Sequence, residues 1–389
     1  MRKMNVGVVG CGAISDIYIS NGMKFEGYDI VACSDIIPER AEEKAATYGI
    51  PKAYSYEEML KDEDVDIVLD LTVHAAHYPL SIEALRAGKH IYNEKPLAAA
   101  FSEGSEIIRL AAKKGLYVGC APDTILGGRI QTMRKLIDDG KIGFPIGVVA
   151  YMTCHGHECW HPNPFFIYEK IGGGPIYDMG PYYLTALAYL LGPVARLSGM
   201  VSTPFKERVI TAPSLAGQKI KVEVPTHINA MLEYESGATA NVMFTYDVWD
   251  SHLPRLEIIG SEGTVSICEA DPLAGPNLFG GEILYRHMDD SDWLGYPDRI
   301  PRKDPSEWER VDMVFPYTEN SRGVGLAEMV YAIQEGIPNR ANGDMALHVL
   351  EIAHGVHESA RLGEHYKMTT TFARPGLLPM DIVEFSARF

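Results

Sequence analysis

The chain has 389 residues, enough for two domains with substantial cores, and 46% of them are hydrophobic, as expected of a globular protein in water. No apolar run reaches the length needed to span a bilayer, and a net charge of −17 leaves no basic face for nucleic acid or an anionic membrane. Six cysteines without a C-x-x-C pair fit reduced thiols, and the opening Met1-Arg2-Lys3-Met4-Asn5 leaves no room for a signal peptide, so a cytoplasmic protein is expected.

Residues 5–9 (Asn-Val-Gly-Val-Val) read as a buried parallel strand, followed by Gly10-Cys11-Gly12-Ala13-Ile14-Ser15 and a helical stretch from Asp16. This is a dinucleotide fingerprint in its required strand-to-helix context. Gly10 makes the tight turn and Gly12 lets the backbone approach a pyrophosphate, with Ala13 and Ile14 leading into the helix N-terminus that faces the phosphates. The next strand, Tyr28 to Ser34, ends at Asp35, where an acidic residue holds the adenosine ribose hydroxyls. Asp35 repels a 2′-phosphate and Ile36 carries no positive charge, so NAD is expected over NADP. Arg40, one helical turn on, keeps NADP open; a helix cap is the alternative role for Asp35.

The alternation continues. Tyr56–Leu60 is helical, Val65–Leu71 is a strand, Thr72 to His77 is its exit loop, and Tyr78 to Ala87 is a helix closed by Gly88. A short apolar strand then ends in Tyr92-Asn93-Glu94-Lys95-Pro96-Leu97. Pro96 restricts Lys95 to extended geometry, so the ammonium is aimed. The helix Ser102–Lys114 and the strand Tyr117–Cys120 complete a doubly wound parallel sheet. Ligands bind off the carboxyl ends of such strands, where Gly12, Asp35, Thr72, Lys95 and Asp123 all fall.

From Gly127 the periodicity changes. Residues 129–139 form a helix, and later strands alternate with period two: His227–Tyr234 with Ala238–Tyr246, and Leu256–Ile259 with Thr264–Ile267. The expected architecture is therefore an N-terminal Rossmann α/β domain (residues 1–124) and a C-terminal α+β domain (125–389) on an open, mostly antiparallel sheet. Residues 271–318 read as an irregular excursion. Helices are expected over Gly325–Glu335 and Ala346–Leu362, and the tail from Thr369 is extended.

Two stretches of the second half carry chemistry. Gly172-Gly173-Gly174-Pro175 leads into a helix to Leu191 on which Asp178 and Tyr182, four apart, share a face. A dipole-complementing carboxylate and a buried tyrosine are the bland alternative. His155-Gly156-His157-Glu158-Cys159-Trp160-His161 suits a sugar pocket: His155, His157 and His161 offer donors and acceptors, and Trp160 offers a flat apolar face. A metal site on these histidines is the weaker reading, and none is expected.

Together these residues resemble the glucose–fructose oxidoreductase / inositol dehydrogenase / rhizopine catabolism (Gfo/Idh/MocA) family. The resemblance rests on Gly10-x-Gly12, Thr72 and His77, Ala87-Gly88-Lys89-His90, Glu94-Lys95-Pro96, Gly172-Gly173-Gly174 with Asp178, and Gly260-Ser261-Glu262-Gly263-Thr264. It implies that Lys95 sits between substrate and nicotinamide, that the Lys95–Pro96 bond is cis, and that the open sheet pairs copies into a homodimer or homotetramer. Thr72, His74, His77 and Glu94 would join the cofactor site, and Asp123 the substrate site. Three departures stand out. Tyr182 replaces the histidine of Asp-x-x-x-His, Val73-His74 replaces Pro-Asn, and Ala121-Pro122-Asp123-Thr124 replaces the usual substrate stretch.

Oxidising a carbinol requires its O–H proton to leave with the hydride. A lysine ammonium beside a tyrosine favours the ionised phenol, so Tyr182 with Lys95 is one candidate base, with Asp178 orienting substrate or holding Lys95. His155 or His157 is the other candidate. The leading expectation is an NAD-dependent dehydrogenase acting on a secondary hydroxyl of a sugar, glycoside or cyclitol. The alternatives are an NAD-dependent glycoside hydrolase working through transient C3 oxidation and a non-catalytic nucleotide-sensing regulator.

Overall fold

The computed structural model describes residues 3–168, 172–268, 278–287 and 308–389. The first half of the chain alternates β1 (Met4–Val9), α1 (Ser15–Gly22), β2 (Tyr28–Ser34), α2 (Pro38–Tyr48), β3 (Lys52–Ala53), α3 (Tyr56–Lys61), β4 (Ile67–Asp70), α4 (His74–Arg86), β5 (His90–Asn93), α5 (Phe101–Lys114) and β6 (Val118–Cys120). These six strands pair in parallel in the order β3-β2-β1-β4-β5-β6. Every residue of β4 and the last four of β1 are buried, as strands covered by helices on both faces must be.

Register explains why one edge of this sheet is chemical. Val9 lies beside Ser34 and Asp70, and Asp70 lies beside Asn93. The residues that follow, Gly10, Asp35, Leu71 and Glu94, therefore leave the sheet at one level. The expected exit loop Thr72–His77 is shorter than read, because α4 already begins at His74. Pro79 lies inside this helix. It removes one intrahelical hydrogen bond, but the buried His77, Ser81, Ile82, Ala84 and Leu85 anchor the helix on both sides of it.

The second half comprises α6 (Gly128–Asp138), β7 (Pro145–Thr153), α7 (Phe165–Tyr168), α8 (Pro175–Asp178), α9 (Gly180–Leu191), β8 (Val194–Ser202), β9 (Glu207–Val209), β10 (Lys219–Lys221), β11 (His227–Tyr234), β12 (Thr239–Thr245), β13 (Leu256–Gly260), β14 (Gly263–Ile267), β15 (Leu284–His287), β16 (Glu309–Arg310), α10 (Val324–Glu335), α11 (Gly343–Leu362) and β17 (Tyr366–Lys367). Among the described residues its main sheet runs β16-β15-β14-β13-β7-β12-β11-β8-β17. All neighbours are antiparallel except β7 and β12. In β11, Ile228, Ala230, Leu232 and Tyr234 turn inward and alternate with less buried residues. On the outer face Met200 and Met231 stand exposed. Much of the 271–318 excursion lies outside the described residues; its described parts supply β15 and β16.

The last helices return to the first sheet. Cys120 N–H of edge strand β6 donates to the Ala341 carbonyl at 3.1 Å, and Leu347 and Leu350 of α11 join the core cluster of Leu97, Ile107, Ala111 and Val118.

Candidate active site

The glycine turn after β1 has the shape a dinucleotide requires. Gly10 sits at φ +92°, and a Cβ there would lie 2.8 Å from the Leu71 carbonyl carbon and the Thr72 nitrogen, so only glycine fits. A Cβ at Gly12 would meet nothing within 4 Å. The backbone is thus bare toward open space at the start of α1, with Ala13 exposed and Ile14 half-buried beside it. Asp35 accepts from Cys11 N–H at 2.8 Å and from Ile37 N–H at 2.9 Å, which ties the acidic strand end to the glycine turn. Ile36 beside it is 96% exposed, an apolar face next to a carboxylate. A ribose and an adenine ring would find both here. Arg40 is exposed on α2.

The Lys95–Pro96 bond is cis, and Lys95 projects from the end of β5. Its Nζ donates to the Asp178 carbonyl oxygen at 2.6 Å and to Asp178 Oδ1 at 2.7 Å. Sequence periodicity put Asp178 and Tyr182 on one helix, but a break at Met179 separates α8 from α9. Tyr182 N–H bonds the Met179 carbonyl at 3.2 Å, so the Asp178 carbonyl is left for Lys95. Both side chains still face the lysine, whose Nζ lies 5.4 Å from the centroid of the Tyr182 ring. The other carboxylate oxygen of Asp178 accepts from Tyr246 OH at 2.7 Å, with His157 Nδ1 at 3.4 Å.

Electrostatics tighten this cluster. Burial disfavours charge on both partners, yet their mutual attraction holds Lys95 above its ordinary value and Asp178 well below. Burial likewise opposes a charged His157, but its contacts with Asp178 and Cys154 outweigh that, and its imidazole is pushed up to about 9. At neutral pH His157 is a charged donor. Burial and the nearby Asp178 carboxylate keep the Tyr246 phenol protonated, well above its usual range.

Tyr246 was not anticipated, and the reason lies in topology. β7 and β12 run parallel with Thr153 opposite Thr245, so the His155–His161 loop and Tyr246 leave the sheet together. Behind them the buried Arg208 donates to the His155 carbonyl at 3.2 Å and to the Tyr246 carbonyl, and pairs with Glu158 at 3.0 Å. Arg322 was missed as well. Its Nη2 donates to the Tyr182 hydroxyl oxygen at 3.0 Å, and nothing in its local sequence, Asn320-Ser321-Arg322-Gly323, marked it.

Several expected site residues are engaged elsewhere. Asp123 is engaged with the backbone of the returning chain. It is 1% exposed, accepts from Gly323 and Gly325 N–H at 2.8 and 3.1 Å, and so caps the start of α10. Burial raises its carboxyl to about 6 despite those amides and Arg322. His77 is a buried brace between the Pro96 and Thr72 carbonyls, at 2.7 and 3.2 Å, because α4 carries it inward. Glu94 is buried and accepts from Tyr18 OH at 2.8 Å and Lys95 N–H at 2.9 Å. Thr72 bonds back to Asp70, and the His74 ring lies against Gly172 and Phe166.

The three histidines diverge. His155 stacks on Trp249 with centroids 3.4 Å apart, His157 faces Asp178, and His161 lies between Trp160 and Phe166. Among the described residues no three metal-ligating side chains gather. Trp160 is 58% exposed and touches His157 at a centroid distance of 5.1 Å.

The comparisons with known proteins bear on this geometry. Residues 4–121 match the oxidoreductase family with an NAD-binding Rossmann fold, and residues 130–266 match the GFO/IDH/MocA C-terminal domain. The chain belongs to the GFO/IDH/MocA oxidoreductase family. Its first sheet is an NAD-binding Rossmann domain, and the protein is an NAD(P)-dependent oxidoreductase of a sugar- and cyclitol-type family. Over 279 residues it is 26% identical to dTDP-3,4-didehydro-2,6-dideoxy-alpha-D-glucose 3-reductase of Streptomyces violaceoruber, covering 71% of this chain and 76% of that one. Aldose-aldose oxidoreductase from Caulobacter crescentus, solved with glycerol, is 26% identical with a TM-score of 0.73, covering 94% of this chain and 100% of that one. Levoglucosan dehydrogenase, solved with NADH and levoglucosan, shares the fold at a TM-score of 0.76 and 20% identity over 94% of this chain and 99% of that one. Among the described residues no helix is long and apolar enough to cross a membrane.

Proposed function

We propose that the protein oxidises a secondary hydroxyl of a sugar, glycoside or cyclitol, with NAD preferred over NADP. The observation that carries this reading is the Lys95–Asp178 pair at the end of β5, on the same sheet edge as the open Gly12 turn. Bound NAD supplies the hydride acceptor. Gly10, Gly12, Ala13 and Ile14 would hold its pyrophosphate, and Asp35 and Ile36 its adenosine end.

The residues divide the remaining work. An ammonium has three donors; two of Lys95's go to Asp178, which leaves the third for the substrate hydroxyl oxygen. Asp178 keeps that ammonium charged and in place. His157 is already charged at neutral pH, which supports Tyr182 over His157 as the group that takes the hydroxyl proton. His157, His161 and Trp160 line the substrate side, as donors and as an apolar face for C–H groups.

A charged His157 beside Asp178 is also an acid suited to a leaving group, which favours a redox-cycling glycoside hydrolase as the second reading. The test is NADH absorbance with NAD and a panel of sugars, cyclitols and aryl glycosides, followed in parallel for aglycone release, with Lys95→Ala as control. Net NADH lost in Lys95→Ala supports the dehydrogenase. NAD-dependent aglycone release without NADH overturns it in favour of the hydrolase. NAD binding with neither signal returns the weight to a nucleotide-sensing regulator. We further propose that the outer sheet face around Met200 and Met231 joins copies into a homodimer or homotetramer, which sedimentation of Met200→Glu against the parent chain checks. The free cysteines, three of them buried, suit a reducing cytoplasm.

A further inference from the structure

Tyr182 faces two cations, and the one at its oxygen is not the lysine. Lys95 lies over the ring and directs its hydrogen bonds to Asp178. Arg322 Nη2 donates to the phenol oxygen at 3.0 Å. The arginine is delivered there by backbone contacts on both sides. Asn21 Nδ2 of α1 donates to the Asn320 and Arg322 carbonyls at 2.9 and 3.0 Å, and Asp123 grips Gly323 and Gly325. The guanidinium's side-chain partners are neutral: the Asn320 amide oxygen at 2.6 Å and the Tyr182 hydroxyl. Glu94, Tyr18 and the Asp123 carboxylate face it at longer range.

A guanidinium has donors and no acceptor. With one donor on the phenol oxygen, the proton of Tyr182 must point elsewhere, and no described residue is seen to accept it. We infer that Arg322 is a positioning residue that acts through Tyr182, turning its O–H toward the substrate and supplying the charge that lets the phenolate form. The inference rests on Tyr182 as the acid–base group. In oxidation Tyr182 first gives its own proton to solvent; its phenolate oxygen then takes the proton of the carbinol O–H, the C–O bond becomes a carbonyl, and the hydride leaves for NAD. In reduction Tyr182 returns that proton to the carbonyl oxygen. Lys95 and Asp178 at the ring face, with His157 behind them, set the background charge in both directions.

The experiment is an ultraviolet tyrosinate titration of the full chain without substrate, comparing the parent with Arg322→Gln, each against its own Tyr182→Phe background. The Tyr182 component is expected to move to higher pH by about one pH unit or more in Arg322→Gln, and by less in Lys95→Met. Arg322→Lys keeps the charge and is the second variant should glutamine prevent folding; its component is expected to stay within about half a pH unit of the parent. With a substrate in hand, kcat for oxidation near neutral pH falls about 10- to 100-fold in Arg322→Gln and recovers as pH rises, while NAD binding is unchanged. A Tyr182 component unmoved in Arg322→Gln, or moved further by Lys95→Met, overturns the inference. So does a fall in kcat with an unaltered pH profile. A titration shift in a protein that oxidises nothing sinks the dehydrogenase reading instead and leaves the Arg322–Tyr182 linkage standing.

Discussion

Replacing Asp178 by asparagine keeps the shape of the side chain and deletes the charge that three donors share. Lys95 and Tyr246 each lie 2.7 Å from a carboxylate oxygen, and His157 lies 3.4 Å away. Removing one member of a buried ion pair costs about 3–5 kcal/mol, because the other charge is left uncompensated. Two features soften the loss here. Lys95 keeps the Asp178 carbonyl at 2.6 Å, and His157, no longer held at about 9, falls toward 6.5 and releases its proton. The net loss is therefore expected at about 3 kcal/mol. Lys95→Met removes the opposite charge, so the double variant should lose less than the sum of the singles by about 2 kcal/mol or more. Urea unfolding of the four proteins near neutral pH, followed by circular dichroism, measures this. Additive losses, or an Asp178→Asn chain as stable as the parent, would refute the pairing.

Other consequences are as direct. Gly12→Val should leave the melting temperature unchanged and abolish NADH binding in a fluorescence titration, whereas Gly10→Ala should destabilise the fold itself by about 1–3 kcal/mol through a strained φ and a backbone clash. His157 stands at about 9 in the fold against 6.5 ordinarily. Its stabilisation is therefore complete below 6.5 and lost as pH rises through 9. His157→Asn should flatten that part of the stability curve by at most about 3 kcal/mol, and urea midpoints that decline in parallel with the parent would contradict the contact. Asp35→Ala combined with Ile36→Arg should shift binding preference toward NADPH by about tenfold or more; unchanged ratios of the two dissociation constants would move the discriminating group away from this strand end.

What the chain spelled out locally was read locally. The glycine turn, Asp35 and the lysine before Pro96 each lie within a few residues of a strand end, and strand register alone brings them to one edge. The partners of Lys95 were legible in part, since Asp178 and Tyr182 carry a recognisable spacing, although the break at Met179 changes how they share the lysine. Tyr246 depended on two parallel strands ninety residues apart in sequence, and Arg322 on the return of the chain after the second sheet. Neither carries a local pattern. For Asp123 and His77 the sequence showed the position and not the direction of the side chain. They lie at the right strand end or loop, but the following helices turn them inward to cap α10 and to brace Pro96.

The return of α10 and α11 to the first sheet bears on how this chain is made. Strand β6 is an edge whose free side is covered by residues 339–342, with Asn339 Nδ2 near the Val118 carbonyl and Gly119 bridged to Asn342. Phe385 accepts from Glu26 N–H at its carbonyl and packs on Phe25 at 5.0 Å. The nucleotide domain is thus begun by β1 and closed by segments that follow the whole second sheet in the chain. On a ribosome that releases the N-terminus first, its sheet would wait with an open edge and a half-covered core until α11 emerged. A fragment ending at residue 124 is accordingly expected to aggregate, and co-expressing residues 320–389 with it is expected to restore solubility.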